Sequence, residues 1–370
     1  FQFSAQGAAT REVLRIITET AGHRRSIDVP IREKVYLAAT LMDRLQGEGL
    51  APGDRYTFEV FDPAAMAPTA ATAEIIGREF IQIGGESLPA TRISMSLRGM
   101  TQTAWVGEDG ALRRERGLLG MRREKSSSAE ALSEFGAEAS DDLAAAAAVT
   151  PNRSILDPQN LEALRVRIGG APTDRLQLNG GRQSLSGGVL TVRREDLAAL
   201  PSMPPPETLQ PLEQVFLKPE PLIQSDHERI RSLVRSILGD GPPATPLAQA
   251  RLLMDWIRRN IEPRPVLSMP DALSTLDNRM GDCNEHAMLF AAMARAAGIP
   301  ARVEAGLVYL QGKFYYHAWN LLFLGRWVTA DAIFGQLPAD ATHLRLATGS
   351  VHQQVDLAGV IGAITVEILD

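Results

Sequence analysis

The chain contains a single cysteine, Cys283, among 370 residues. No internal disulfide can form, and a lone thiol suits an oxidising or a reducing compartment equally. No apolar run approaches the roughly 18 residues that a membrane-spanning helix requires, and the longest alanine-rich stretch, Leu143 to Val149, is far too short. No transmembrane segment is therefore expected. Lysine is scarce: Lys34, Lys125, Lys218 and Lys313 are the only ones, and the formal net charge is −6. With no basic patch interleaved with aromatics, that balance argues against nucleic acid as a partner.

What is present describes an ordinary soluble globular protein, 45% hydrophobic and 22% charged, with room for two or three domains. The stretch Pro201 to Pro211 carries five prolines and reads as a stiff linker. The expected division is a β-rich domain of unknown ligand over 1–200, a Pro-rich linker over 201–217 and a second domain over 218–370. In the front part, Thr72–Ile83, Thr91–Leu97, Thr101–Val106, Ala111–Arg116, Leu161–Ile168 and Gly188–Arg193 alternate as strands, with Gly84-Gly85, Arg98-Gly99 and Asp109-Gly110 as turns. Ile31 to Leu45 has helical periodicity, and an Ala- and acid-rich insert at about 126–150 should be partly helical. His23 with Arg24 and Arg25 reads as a solvated loop. The mixed-sign runs Arg113 to Arg116 and Arg122 to Lys125 read as solvated strand faces.

The chemistry concentrates after the linker. Asp226–Leu238 and Leu247–Asn260 have amphipathic helical patterns, and Asp271–Leu276 a short one. Asp282 with Glu285 three residues on is a capping box, and Gly298-Ile299-Pro300 is a helix stop. Cys283 thus occupies the first helical position, where unpaired N–H groups and the helix dipole favour a thiolate, the reactive form. Beyond Pro300, three runs (Ala301–Leu310, Lys313–Phe323 and Arg326–Ala330) form an antiparallel meander through turns at Gln311-Gly312 and Leu324-Gly325. That register sets His317 and Asp331 within one residue of directly opposite. A nucleophile, a base and an orienting carboxylate are all present.

Gly281-Asp282-Cys283-Asn284-Glu285-His286-Ala287, Arg295-Ala296-Ala297-Gly298-Ile299-Pro300-Ala301-Arg302, His317-Ala318-Trp319 and Asp331 together resemble the bacterial transglutaminase-like superfamily, over roughly Leu222 to Gly349. The resemblance implies an α+β, papain-like fold, with the cysteine on a central helix packed against an antiparallel sheet. By position it implies a catalytic triad of Cys283, His317 and Asp331. Two departures stand out. The family often has Asp-Pro where this chain has Asp331-Ala332, which would loosen that loop. No aromatic residue lies between Glu262 and Met280 to serve as a second oxyanion donor, and Trp256 falls within a helix; this favours hydrolysis over amine transfer.

The expected activity is cysteine-dependent acyl transfer at amide bonds of a protein or peptide substrate. That means a cysteine peptidase or amidase, or else a transglutaminase. No cofactor and no metal are expected. A zinc site of Cys283, His286, His317 and Asp331 is chemically adequate but less economical. The rival from another class is a non-catalytic scaffold that keeps the fold. Tyr315, Trp319 and Phe323, on the strand face of His317, suit a cleft wall or a core equally. The Phe1 start and the family resemblance suggest an exported periplasmic or cell-envelope protein, with the cytoplasm still open. The oligomeric state is unreadable.

Overall fold

The computed structural model describes residues 3–10, 12–20, 23–31, 34–37, 45, 51–62, 67–97, 100–117, 122–126, 147–171, 173, 176–241, 243, 245–266, 270–348 and 360–369. The described residues of its first third are mostly strand. β1 (Phe3–Ala9), β2 (Val13–Thr20) and β3 (His23–Pro30) form an antiparallel sheet. Seven further strands form a second sheet: β4 (Val35–Leu37), β5 (Arg55–Asp62), β6 (Ala67–Ile83), β7 (Glu86–Leu97), β8 (Met100–Val106), β9 (Leu112–Arg116) and β10 (Arg122–Glu124). Phe58, Val60, Ala71, Ala73, Ile75, Ile93 and Val106 are the period-two apolar positions that fill its core.

Three local expectations need correction here. His23 begins a strand, paired with Thr20, rather than sitting in a loop. Val35–Leu37 is a strand, parallel to β5, where helical periodicity was expected; three apolar positions fit either period, and sheet pairing decides. Residues 38–44 and 127–146, where the remainder of that helix and the helical insert were expected, lie outside the described residues. The mixed-sign runs are not merely solvated faces: across β9 and β10, Arg114 pairs with Glu124 and Arg123 with the buried Glu115.

The rest of the chain is an α+β assembly. Strands β11 (Ala163–Gly169), β12 (Gln183–Ser186), β13 (Val189–Arg193) and the C-terminal β20 (Thr365–Ile368) form one sheet, in which β11 lies between β13 and β20. A short helix, α1 (Pro211–Val215), precedes α2 (Glu228–Leu238), α3 (Pro246–Asn260) and α4 (Ala272–Asn278). The two-residue strands β14 (Glu262–Pro263) and β15 (Met280–Gly281) pair in parallel ahead of α5 (Cys283–Ala296). The meander follows as β16 (Ala301–Leu310), β17 (Lys313–Phe323) and β18 (Trp327–Ala330), with β19 (Leu344–Thr348) on the far side of β16.

Two cores meet on this meander. Phe290, Leu289 and Met293 of α5 pack with Ala301, Val303, Ala318, Leu322 and Val328 and with α2, α3 and α4. Leu307, Phe314, Leu344 and Leu346 instead pack with Leu164, Val166, Leu190 and Val192 of the β11–β13 sheet. The Pro-rich stretch runs close over the meander: at Gly325 (φ +93°) an added Cβ would fall 2.0 Å from the Pro201 carbonyl oxygen, so only glycine fits. Among the described residues no helix is long and apolar enough to cross a membrane.

Candidate active site

The loop that delivers Cys283 is pinned at each step. Helix α4 ends on Arg279 in the left-handed region (φ +56°), whose guanidinium lies 4.9 Å from the Trp256 ring. Pairing of β15 with β14 then fixes Met280 and Gly281. Asp282 caps α5 by accepting from Asn284 N at 2.8 Å, while the Glu285 carboxylate accepts from Asp282 N at 3.1 Å. Gly281 makes the fold-back of Glu285 possible, since a Cβ there would lie 2.3 Å from the Glu285 Cβ. Cys283 emerges half-buried at the first helical position. Asn320 of β17 ties sheet to helix by donating to the Ala287 carbonyl at 2.9 Å. At the far end, buried Arg295 donates to the carbonyls of Ala301 and Lys218 and pairs with Glu220.

His317 lies mid-strand on β17, near enough to Cys283 for the thiol to raise its pKa, and its Nε2 is 2.6 Å from Asp331 Oδ2. Asp331 follows the last residue of β18. The observed register pairs Asn320 with Ala330, which sets Asp331 opposite Trp319, two residues from His317 rather than one. The difference matters. An offset of two keeps both side chains on one face of the sheet, whereas an offset of one would separate them. The loop after Asp331, expected to be loose without proline, is closed by the carboxylate itself. Oδ1 accepts from Ile333 N at 2.8 Å and Phe334 N at 3.0 Å, and Asp331 and Gln336 exchange backbone hydrogen bonds.

Two residues of this cluster were missed in the sequence. His343, fully buried, places Nε2 3.0 Å from the same Asp331 oxygen and Nδ1 3.1 Å from Asp340 Oδ1. Asp340 also accepts from Thr342 N and Oγ1 and from Gln336 Nε2. The spacing Asp340-x-x-His343 after Pro338 marks a turn, but nothing local in it points back to Asp331. Aromatic rings close around the pair: Phe334 lies 5.1 Å from His317, and Trp319 stacks on His317 and meets His343 edge-on at 5.1 Å.

The electrostatics follow from burial and pairing. Burial pulls His317 down, but Asp331 and the contact with Cys283 outweigh it and raise its pKa to about 9. Burial pushes Asp331 up, but His317 and His343 outweigh that and hold it far below the usual carboxylate range. Asp340 is drawn down to about 2 against burial by His343, Thr342 and Gln336. His343 is raised by its two carboxylates against complete burial. His286, one turn into α5, is instead lowered by burial, with the carbonyls of Asp282 and Ile261 opposing; its Nδ1 lies 2.8 Å from Asp282 O.

Among the described residues, the donor grouping compact enough to hold a metal ion is His317, Asp331 and His343, within 4.8 Å of one another. Cys283 and His286, the Cys-x-x-His pair, are not in it. Two ligands on one tetrahedral zinc stand about 3.3 Å apart. The 2.6 Å between His317 and Asp331 is a charge-assisted hydrogen-bond distance instead.

An α+β fold that sets a helix-borne cysteine against a sheet-borne His–Asp pair defines a class. Residues 231–332, which include all three side chains, match the family model of the Transglutaminase-like superfamily, and this segment is a transglutaminase-like domain. No curated protein matches the chain. Among solved structures, the chain is similar to a protein of Cytophaga hutchinsonii provisionally named a cysteine protease (19% identity, 55% of this chain and 83% of that one, TM-score 0.38). It is also similar to the periplasmic domain of TgpA from Pseudomonas aeruginosa (18%, 51% and 93%, TM-score 0.29). A third is a provisionally named protease of Parabacteroides distasonis (12%, 75% and 69%, TM-score 0.28).

Proposed function

We propose that this chain is a cysteine-dependent enzyme that hydrolyses amide bonds of a protein or peptide through a thioester. Cys283 serves as nucleophile, His317 as acid and base, and Asp331 as orienter. The observation that carries the reading is the 2.6 Å hydrogen bond between His317 and Asp331, with Cys283 at the start of α5 near enough to help raise the His317 pKa. With its pKa at about 9, His317 is an imidazolium at neutral pH and can face a thiolate.

The thiolate adds to the carbonyl carbon, and the oxyanion is received by the N–H groups at the start of α5. His317 gives its proton to the departing amine as the C–N bond breaks, leaving the acyl thioester. Neutral His317 then takes a proton from water as the oxygen attacks. Cleavage of the C–S bond releases the acid and restores the thiolate–imidazolium pair. Transfer to a primary amine would follow the same steps with nitrogen in place of water. A cell-envelope location belongs to the same reading and rests on the family resemblance.

The test is a peptide and glutamine-donor library offered to wild type and to Cys283→Ala, with release of acid and incorporation of a labelled amine followed separately. Acid release that vanishes in a folded Cys283→Ala variant supports hydrolysis. Amine incorporation that outruns it would make the enzyme a transglutaminase. Undiminished activity without the thiol would remove the mechanism.

A further inference from the structure

The triad reading gives no role to a second histidine built into the same cluster. His343 is completely buried, and each ring nitrogen faces a carboxylate: Asp331 Oδ2 at 3.0 Å and Asp340 Oδ1 at 3.1 Å. An ionised carboxylate can only accept hydrogen bonds. A neutral imidazole would therefore set a bare nitrogen against a bare oxygen on one side, with both buried. Two protons on the ring satisfy both contacts.

Asp340 has no other role in the site. It is held by Gln336 and by the Thr342 amide and hydroxyl, so it stays ionised and fixed against Nδ1. The other charged groups near His343 are accounted for. Arg182 donates to the His343 carbonyl at 3.1 Å but is paired with Glu195, and Arg345 lies beside Glu304. Trp319 and Phe334 present uncharged rings. Among the described residues, His317 is the cation that faces it, with ring centroids 6.2 Å apart.

We propose that His343 is a positioning residue for the His317–Asp331 pair: as an imidazolium held between Asp331 and Asp340, it fixes the Asp331 oxygen that His317 uses and offsets that carboxylate's charge. The role rests on the enzyme reading above. The charge state does not, and can be measured without any substrate. Without His343, Asp331 Oδ2 would answer to His317 alone. His317 would then bind its proton too tightly to release it readily to a leaving amine.

The sign follows. Removing a cation about 6 Å away stabilises a neighbouring imidazolium, by about two pH units at an effective dielectric constant of about 20. In protein labelled with ¹⁵N-histidine, His317 should titrate near its raised value in wild type and about two units higher in His343→Gln. Amide cleavage at pH 7 should fall at least tenfold in kcat, with KM little changed. A merely structural His343 would lower the melting temperature of His343→Gln and leave the His317 midpoint in place, which would overturn the proposal.

If His343→Gln does not fold, wild type and Cys283→Ala suffice. Two imidazoliums should persist above pH 7. Loss of the thiol should shift His317 and leave the other, His343, doubly protonated. A neutral His343 at pH 7 in an active enzyme overturns this inference alone. Undiminished activity of Cys283→Ala overturns the cysteine mechanism and, with it, the positioning role, whatever charge His343 carries.

Discussion

His317 and Asp331 stand 2.6 Å apart across a hairpin, and the carboxylate reaches the ring from just beyond the end of its strand. Asp331 therefore does two jobs: one oxygen orients His317, while the other closes the loop 331–334 through two backbone amides. Asp331→Asn should separate them. The amide oxygen can still accept from Ile333 and Phe334, but the amide nitrogen now faces His317 and His343 without charge. Activity should fall by about two orders of magnitude or more. The His317 midpoint should drop from about 9 towards the ordinary histidine range, read by histidine NMR. An unchanged midpoint would show that Asp331 does not control the base.

The same shifts set a pH profile for stability. The folded pKa of His317 is raised, so its stabilising contribution is complete below about 6.5 and is lost as pH climbs through about 9. Asp331 and Asp340 are depressed, so theirs is present above the unfolded value of about 3.9 and is lost as pH falls, for Asp340 through about 2. His286, lowered by burial, works the other way and favours the unfolded chain below about 6.5, so melting temperature should be highest on a plateau near pH 6.5. Cys283→Ala should leave it nearly unchanged on that plateau, because the Asp282–Glu285 box remains, but should move the alkaline fall to lower pH. An alkaline limb identical in the two proteins would show that the thiol does not interact with His317.

Much of this site was legible because its parts are local. The capping box, the glycine–proline stop and the two turns lie within a few residues of what they position, so Cys283 could be placed at a helix start and the meander aligned to within a residue. The register was one residue off because three residues, Leu324 to Arg326, turn the chain between Phe323 and its partner Trp327, where a centre between Leu324 and Gly325 implies two. What could not be read is non-local. His343 returns to Asp331 on the path into β19, and β11 finds its second neighbour, β20, some two hundred residues away. No turn chemistry links such partners, and only the packed core selects them. Val35–Leu37 failed for the opposite reason: three apolar residues carry too little periodicity to distinguish strand from helix.

Gly281→Ala tests how tightly the cysteine loop is held. The new methyl group would sit 2.3 Å from the Glu285 Cβ, in contact with a buried side chain that cannot swing away. The expected cost is about 1–3 kcal/mol from overpacking and loss of half the capping box, seen as a lower denaturant midpoint. Cys283 alkylation should slow in the folded variant as the helix start shifts. Wild-type stability would mean that Glu285 does not fold back over Gly281.

A final prediction asks how much of the chain the site needs. Arg182 and Glu195, both nearly inaccessible, are paired at 3.2 Å. Arg182 donates to the carbonyls of Ala339 and His343, while Glu195 accepts from the amide and hydroxyl of Thr329, two residues before Asp331. The β11–β13 sheet thus grips both ends of the Asp331–His343 segment, and its apolar face shares a core with β16 and β19. A chain starting at Ala147 should fold and keep an alkylatable Cys283, with His317 still titrating near its raised value. A chain starting at Pro201 lacks three of the four strands of that sheet; it would expose Leu307, Leu344 and Leu346 and leave Thr329 and the His343 carbonyl without their partners. It should be insoluble or molten. Glu195→Gln in the full chain is the finer probe. It strands the buried Arg182 charge and should cost about 3–5 kcal/mol, with activity falling more steeply on warming than in wild type. A stable, active protein beginning at residue 201 would show that the meander and its helices support the site unaided.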